Sequence, residues 1–308
     1  MKYFMNPGRH RESITFLDNI VYSHVKAPKK NCEMDLKLSY MAKFGNSEMR
    51  VLRGGEALPG EPIHVRPCIV WIPGGGWRGC DKNLMVPEME FLAEAGFAVV
   101  SIYYRSNEEA FFPAQIIDVK SAIRFMRANA KKYSIDPDRI GVMGRSAGGH
   151  LASLAAMNTA GWDEGDHLEY SSEVQAAWDL FGPVDLLQCM KYNVELFKDP
   201  KFRWHSFDET HEGELLGATD EERWAAAPAA SAVSYVSDKM APILIMHGDA
   251  DPVIPYAMSE AFYNQICEAG LEEQADFYLL HNGGHGSDEF FQPMTKDVAL
   301  NFFNKYLK

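Results

Sequence analysis

Short apolar runs that alternate with helical patterns constrain the fold of this chain more than any other feature of its sequence. The runs are residues 68–72, 97–102, 140–143 and 243–246, and a glycine or proline lies next to each of them. Runs this short, bounded in this way, suit strands that are buried on both faces of a sheet. Apolar residues recur with helical spacing in segments 85–95, 114–132, 146–157, 256–269 and 288–306. The alternation predicts an α/β fold with a mostly parallel central sheet and helices on both faces.

The length of the chain, 308 residues, suits one α/β domain with a well-buried core. Ahead of the first apolar run, alternation of apolar and polar residues from Met34 to Tyr40 predicts a half-buried strand. The polar stretch up to about residue 19 shows no such pattern, and residues 43–67, rich in Gly and Pro, predict a loop or an edge hairpin. We therefore predict a single domain over residues 1–308.

Residues 158–237 interrupt the regular alternation of strands and helices. Residues 178–183 predict one more strand and its turn, whereas residues 191–230 show no regular pattern and place several aromatic residues among many charges. Long irregular insertions in sheet enzymes commonly form lids or substrate-binding loops. We predict a partly irregular insertion or lid over approximately residues 187–235. The alternative is a helical excursion that only covers the sheet edge.

An excess of acidic residues sets the electrostatic character of the chain, with 43 Asp and Glu against 30 Lys and Arg and a net charge of −13. Such a chain lacks the basic surface that binds nucleic acid, and we do not expect it to bind an anionic membrane. No stretch approaches the roughly 18 apolar residues of a membrane span, and residues 1–16 lack the apolar core of a signal peptide. We expect a cytoplasmic protein and leave a homo-oligomer open.

The five cysteines are widely spaced and form no C-x-x-C pair. This spacing argues against a zinc knot or a disulfide framework. The sequence also contains no H-E-x-x-H or comparable set of metal ligands. We therefore expect neither a metal nor a cofactor.

Residues 144–148 read G-R-S-A-G and fit the pattern G-x-S-x-G around Ser146. The motif follows the predicted strand 140–143 and opens the next predicted helix, which is the context of a nucleophile elbow. The flanking glycines leave room for the neighbouring strand and helix, so that the serine hydroxyl projects from the top of the sheet. The context predicts that Ser146 is a catalytic nucleophile. A serine without catalytic role in a glycine-rich turn is the simpler alternative.

The glycine-rich segment P-G-G-G-W at residues 73–77 follows the first apolar run. Acyl transfer creates an oxyanion that needs hydrogen-bond donors held in place, and glycines let backbone N–H groups approach closely. We assign the N–H groups of Gly75, Gly76 and Ala147 to this oxyanion hole. No Lys-Ser/Thr pair follows the glycines, which excludes a P-loop, and the acidic partner of a dinucleotide-binding loop is absent.

A serine hydroxyl needs a base to take its proton, and His285 is the candidate. It lies in a glycine-rich turn between an apolar run and the last helix, while Asp251 follows the strand 243–246 and can orient the imidazole. The chain order Ser146, Asp251, His285 is the order expected of this type of sheet enzyme. Asp249 and Asp185 stay open as alternatives for the acid.

Other histidines lie in places that favour structural roles. His150 falls one helical turn after the nucleophile, where packing is the expected role, and His247 and His281 end predicted strands. Three aromatic residues are candidates for lining the acyl or alcohol pocket, although simple packing is their alternative role: Trp77, Trp204 and Phe207.

Five segments of the chain carry a resemblance to a known family: residues 73–77, 135–141, 144–151, 247–255 and 283–286. Together they resemble the α/β-hydrolase esterases, most closely the group named for bifunctional feruloyl and acetyl-xylan esterases, near the hormone-sensitive-lipase-like and kynurenine formamidase branches. The resemblance covers about Arg66 to the C-terminus. It implies the α/β-hydrolase fold, and it gives Ser146, Asp251 and His285 the nucleophile, acid and base positions. Pro73 stands where the family usually has a histidine that braces the oxyanion loop.

These observations lead to the hypothesis of a serine esterase that acts on a small-molecule ester through an acyl-enzyme. The resemblance implies short-acyl esters, often acetyl groups on carbohydrate fragments. An amidase, such as a formamidase, would use the same residues. A non-catalytic binding module on the same fold is a further alternative, and it would be expected to lack one of the three catalytic residue types.

Overall fold

A computed structural model describes residues 12–79, 81–159 and 161–308, and these residues form one eight-stranded sheet. The strands are β1 (Glu12–Ala27), β2 (Cys32–Gly45), β3 (Arg66–Ile72), β4 (Ala98–Ile102), β5 (Ile135–Arg145), β6 (Ala176–Leu180), β7 (Ile243–Gly248) and β8 (Ala275–Leu280). Their order is β1-β2-β4-β3-β5-β6-β7-β8. The pairs β1–β2 and β2–β4 are antiparallel and the other pairs are parallel. The sheet therefore confirms the predicted fold class. Residues 1–11, on which the signal-peptide prediction partly rests, lie outside the described residues.

The helices connect the strands and cover both faces of the sheet. They are α1 (Asn46–Leu52), α2 (Glu90–Glu94), α3 (Ala114–Ala128), α4 (Ala130–Tyr133), α5 (Ala147–Ala156), α6 (Leu186–Leu196), α7 (His211–Leu216), α8 (Asp220–Ala226), α9 (Ala257–Glu268) and α10 (Pro293–Leu307). Short 3-10 turns occupy Val86–Met89, Phe207–Glu209, Ala232–Tyr235, Glu272–Gln274 and Asp288–Phe291.

The central strands are mostly apolar because both of their faces are buried. All residues of β3 are buried, and their side chains alternate between two hydrophobic clusters. Val70 and Ile72 belong to the cluster that includes α3 and α5, whereas Ile69 and Trp71 belong to the cluster that includes α2 and α10. Because the strands from β4 to β8 in the sheet order run parallel, their carboxyl ends lie at one edge of the sheet.

The N-terminal region differs from the prediction. Strand β1 pairs with β2 at the sheet edge, where most of its residues are exposed or half-buried. Register shifts between Leu17 and Ile20 and between Val21 and Ser23 interrupt its alternation of apolar and polar residues, which hides the strand in the sequence. The loop or hairpin predicted for residues 43–67 is wrong at its start, where β2 continues to Gly45 and α1 follows. Buried Glu48 stabilises this turn, because its carboxylate accepts hydrogen bonds from the N–H groups of Gly45 and His64, at 3.1 and 2.9 Å.

The insertion is more regular than its sequence indicates. Helices α6, α7 and α8 lie in the stretch for which no pattern is visible. Asp185, Thr210 and Thr219 cap these helices, each accepting a hydrogen bond from a backbone N–H three residues on, at 2.8, 3.1 and 3.3 Å. Helices of two or three turns that depend on their caps show too few apolar repeats for a periodic signal.

Candidate active site

Ser146 lies on the sharp turn between β5 and α5. Its backbone has φ 51° and ψ −121°, a conformation that non-glycine residues adopt rarely and that is associated with functional sites. A side chain on Gly148 would overlap the carbonyl oxygen of Ile72, and one on Gly144 would overlap the carbonyl oxygen of Gly148. The glycines of the motif are therefore required by the close approach of β3, β5 and α5. The turn is the nucleophile-elbow geometry.

The structure brings the side chains of Ser146, His285 and Asp251 together at the carboxyl edge of the sheet. His285 Nε2 lies 2.9 Å from Ser146 Oγ, and His285 Nδ1 lies 2.7 Å from Asp251 Oδ2. The Phe181 ring packs edge-on against the imidazole, with the ring centroids 4.7 Å apart. The Asp251 side chain is 0% exposed and that of His285 is 19% exposed. This arrangement can pass a proton from the serine hydroxyl to an imidazole whose other nitrogen faces a carboxylate.

Hydrogen bonds keep the Asp251 carboxylate charged in this buried position. Its Oδ1 accepts the backbone N–H groups of Val253 and Ile254 at 2.7 and 3.0 Å. Burial acts to raise the pKa of Asp251, but hydrogen bonds from His247, His285 and Ile254 outweigh it and hold the pKa well below its ordinary value. The site therefore contains a carboxylate that stays negative at neutral pH.

The two alternative acids lie in other environments. Asp249 accepts hydrogen bonds from the Asn282 N–H at 2.7 Å and pairs with His281 Nδ1 at 2.9 Å. Asp185 caps α6. Of the three aspartates considered from the sequence, Asp251 is the one whose carboxylate faces His285.

Two of the three residues assigned to the oxyanion hole line a cavity beside Ser146. Gly76 and Ala147 belong to its wall, whereas Gly75 is not among the lining residues. Ala147 is the first residue of α5, and the N–H groups of a first helical turn have no acceptor within the helix. Gly76 has φ 59°, which a glycine adopts without strain. This edge of the cavity is suited to a developing negative charge.

Residues that follow β4 brace the loop that contains Pro73. Tyr104 Oη donates a hydrogen bond to the carbonyl oxygen of Pro73 at 2.8 Å, and the N–H of Asn107 donates to that of Trp77 at 2.7 Å. The side chain of His150 packs under the loop, with its ring edge-on to Trp77 at a centroid distance of 5.3 Å. His150 Nε2 also contacts the carbonyl oxygen of Ala230 at 2.6 Å, in line with the structural role expected of it.

A bidentate ion pair joins the same loop to the insertion. Arg78 Nε and Nη2 donate to Glu214 of α7 at 2.6 and 2.8 Å, and Asn107 Nδ2 donates to the same carboxylate at 3.0 Å. His211, at the start of α7, lies so close to Gly76 that a Cβ there would be 3.0 Å from its ring. The glycine-rich loop 73–79 and α7 therefore form one connected unit.

The cavity has a volume of roughly 1150 Å³, and the insertion supplies much of its wall. Trp77 and Trp204 both line it. Phe207, the third aromatic candidate, lies elsewhere: it is buried inside the insertion, with ring centroids 5.2 Å from Phe197 and 5.7 Å from Trp224. The sequence indicates that aromatic residues are present but not which of them face inward.

Several polar residues of the wall are not apparent from the sequence. Asn193, Arg203, His211 and Glu212 line the cavity, and the side-chain amide of Asn193 donates a hydrogen bond to Glu212. Burial raises the pKa of Glu212, although its hydrogen bonds and the charge of Arg203 oppose the effect. The cap residue Thr210 is the one local signal of α7, and it does not indicate which face of the helix meets the cavity.

Within residues 12–79, 81–159 and 161–308, no three His, Cys, Asp or Glu side chains form a cluster that could hold a metal ion. No helix in those ranges has the length and apolar character needed to cross a lipid bilayer.

The α/β-hydrolases are defined by a mostly parallel sheet that carries a serine on a strand-to-helix elbow, with a histidine and an aspartate at the ends of neighbouring strands. The family model BD-FAE matches residues 57–266, and the chain belongs to this family. The resemblance to α/β-hydrolase esterases is thereby confirmed.

Similar proteins include a curated relative and two solved structures. Esterase LipQ of Mycobacterium tuberculosis is 32% identical over 234 residues, which cover 74% of this chain and 52% of LipQ. A truncated form of a carbohydrate esterase from gut microbiota is 31% identical with a TM-score of 0.72, covering 98% of this chain and 99% of that chain. A bifunctional GH43-CE protein of Bacteroides eggerthii is 26% identical with a TM-score of 0.72, and the match covers 94% of this chain and 35% of that chain. The chain spans about half the length of the curated relatives it matches.

Proposed function

We propose that the protein is a serine esterase that hydrolyses short-acyl carboxylic esters, with Ser146 as nucleophile, His285 as base and Asp251 as the acid that orients the base. The observation that carries the proposal is the continuous pair of contacts from Ser146 Oγ through the His285 imidazole to the Asp251 carboxylate, at 2.9 and 2.7 Å. Membership of the BD-FAE family and similarity to proteins named esterases support the same chemistry.

The reaction proceeds in two acyl-transfer steps. In the first, Ser146 Oγ attacks the ester carbonyl carbon while His285 Nε2 takes the hydroxyl proton, and Asp251 stabilises the imidazolium that forms. The carbonyl oxygen becomes an oxyanion that accepts hydrogen bonds from the N–H groups of Gly76 and Ala147, the two of the three assigned residues that line the cavity. When the intermediate collapses, the C–O bond to the alcohol breaks and His285 returns the proton to the leaving alcohol.

The second step releases the acid and restores the enzyme. A water molecule gives a proton to His285 Nε2 and attacks the acyl carbon of the Ser146 ester. The bond to Ser146 Oγ then breaks, and the serine takes the proton back from the imidazolium. The carboxylic acid leaves with the oxygen that came from water.

The alcohol part of the substrate is proposed to be a carbohydrate fragment that carries acetyl groups. The cavity combines aromatic faces, Trp77 and Trp204, with polar side chains such as Asn193 and Glu212, a mixture that suits a molecule with hydroxyl groups and apolar ring faces. A solved structure similar over almost the whole chain is described as a carbohydrate esterase. We propose that residues 187–235 act as a substrate-binding lid on a single α/β-hydrolase domain.

Hydrolysis of an ester panel by the wild type and by Ser146→Ala tests this proposal. The panel contains p-nitrophenyl acetate, an acetylated xylo-oligosaccharide and a formyl amide, and Ser13→Ala, an exposed position on β1, is the matched control. We expect Ser146→Ala to lower kcat for acetyl esters by about 10³-fold or more and the control to leave it unchanged. Equal activity of wild type and Ser146→Ala would overturn the proposal. Faster turnover of the formyl amide would move the assignment to an amidase.

A further inference from the structure

We propose that His247 is a positioning residue for this reaction, because it is a second imidazole donor to the carboxylate oxygen that faces His285. The hydroxyl of Ser259 holds His247 in the tautomer that makes this possible. The inference rests on the proposed function, since it concerns the far side of the proposed catalytic acid.

His247 is the penultimate residue of β7, and its side chain is completely buried. Its Nε2 lies 3.0 Å from the carbonyl oxygen of Ile254 and 3.2 Å from Asp251 Oδ2, and its Nδ1 lies 2.8 Å from Ser259 Oγ. A carbonyl oxygen can only accept a hydrogen bond, so the Nε2 nitrogen carries the hydrogen. In the neutral imidazole, Nδ1 then accepts the hydroxyl hydrogen of Ser259. The Nε2–H faces the Ile254 carbonyl oxygen, and Asp251 Oδ2 is a second, more distant acceptor 3.2 Å from the same nitrogen.

One oxygen of the Asp251 carboxylate accepts hydrogen bonds from the backbone, and the other oxygen faces the two imidazoles. Oδ1 accepts the N–H groups of Val253 and Ile254, whereas Oδ2 lies 2.7 Å from His285 Nδ1 and 3.2 Å from His247 Nε2. A buried carboxylate is stable only when its acceptor sites are filled. His247 therefore fixes the rotation of the carboxyl group and aims Oδ2 at His285 without touching the substrate cavity.

The surroundings of His247 contain few other charges. Asp179 of β6 interacts with it electrostatically, and the ring of Phe181 lies 6.4 Å away from it, centroid to centroid. The Asp179 carboxylate accepts its hydrogen bonds from Ser153 and from the N–H of Gly182, at 3.0 and 2.8 Å. These hydrogen bonds do not involve His247, so Asp179 keeps its partners when His247 is replaced.

The matched variants His247→Gln and His247→Met separate a hydrogen bond from simple space filling. Glutamine can place an amide N–H near the position of Nε2, whereas methionine fills the space without a donor. We expect His247→Met to lower kcat by about 10-fold or more, with KM within about 2-fold, because it removes one hydrogen bond to a charged group. His247→Gln is expected to recover most of that loss.

The pH profile supplies a readout that a purely structural role would not change. Without the N–H of His247, the Asp251 carboxylate is less stabilised and binds the imidazolium of His285 more strongly. The acid limb of kcat/KM is therefore expected to move to higher pH by roughly half a unit in His247→Met, and to stay near the wild-type position in His247→Gln.

The outcomes distinguish this inference from the proposed function. Thermal unfolding shows whether each variant is folded. If His247→Met does not fold, Ser259→Ala becomes the decisive variant. We expect Ser259→Ala to show a smaller loss of kcat and a shift of the acid limb in the same direction. The inference is overturned if the decisive variant has the wild-type kcat and profile, or if the Gln and Met variants lose the same activity. If Ser146→Ala keeps wild-type activity, the proposed function itself fails.

Discussion

The two halves of the candidate active site are held together in different ways. On one side, the side chains of Asp251 and His247 are completely buried, and the contacts that orient them come from the turn after β7, from Ser259 of α9 and from His285. On the other side, the oxyanion loop is tied to the insertion by Arg78 and Glu214, whose side chains are 40% and 32% exposed. Buried hydrogen bonds to a charge are strong and insensitive to salt, whereas partly exposed ion pairs are weak and screened.

This difference suggests a division of labour. The buried half, which we call the acid–base half (Asp251, His247 and His285), provides fixed geometry for proton transfer. The other half, which we call the substrate half (the loop 73–79 and the insertion 187–235), supplies much of the cavity wall, against which we propose that the ester binds. We therefore expect substitutions in the acid–base half to affect kcat strongly, and substitutions in the substrate half to have smaller effects that depend on salt or on the substrate.

The largest effect is expected at the proposed acid. Asp251→Asn should lower kcat by roughly 10³- to 10⁴-fold, because an amide cannot balance the charge of the imidazolium and favours the wrong tautomer of His285. Asp249→Asn, the nearest alternative acid, should change kcat by less than about 3-fold, and steady-state kinetics on p-nitrophenyl acetate measures both. A larger loss in the Asp249 variant would transfer the acid role to that residue.

A smaller effect is expected at the ion pair of the substrate half. Arg78→Met and Glu214→Gln should each lower kcat/KM by about 5-fold, and the double variant should lose little more than either one, since both remove the same link. The expected coupling is roughly 0.5 to 1 kcal/mol and should shrink in high salt. The Lys43–Glu94 pair, 3.1 Å apart and not part of the cavity wall, is the control. Fully additive losses would show that the loop and the insertion act independently.

The smallest change in activity is expected at the cavity aromatics. Trp204→Ala should raise KM for a bulky alcohol ester by about 3-fold and leave kcat nearly constant, because it removes apolar contact area from the cavity wall. Phe207→Ala should instead lower the free energy of unfolding by about 3 kcal/mol through a cavity in the insertion, with a smaller effect on KM. Kinetics and denaturant unfolding of the pair separate the two roles. The reverse pattern would place Phe207, not Trp204, beside the substrate.

The central sheet is predictable from sequence because its strands are buried on both faces. Their apolar runs are short and bounded, and helices alternate with them, so the parallel order follows from simple rules. The motifs around Ser146, Asp251 and His285 each follow or precede one of these strands, and this placement alone predicts that the three side chains meet. Asp251 and His285 of the acid–base half can therefore be predicted from the sequence, whereas the part played by His247 cannot.

The structure of the substrate half cannot be predicted from the sequence in the same way. The short capped helices of the insertion carry no periodic signal, and contacts between distant residues decide which side chains face the cavity. Phe207 and Trp204 differ by three positions, yet one is enclosed in the insertion and the other lines the cavity. The contact of His247 with Asp251 also depends on the turn between them, whose path a strand pattern does not reveal.

The most direct test of the central claim is to locate the covalent bond that forms during the reaction. The protein is treated with an organophosphate ester that transfers its phosphoryl group to activated serines, and peptide mass spectrometry then identifies the modified residue. The account predicts one adduct per chain on Ser146, loss of ester hydrolysis in proportion to labelling, and strongly reduced labelling in Asp251→Asn. An adduct on another residue, or full labelling of Ser146 with unchanged hydrolysis, would contradict it.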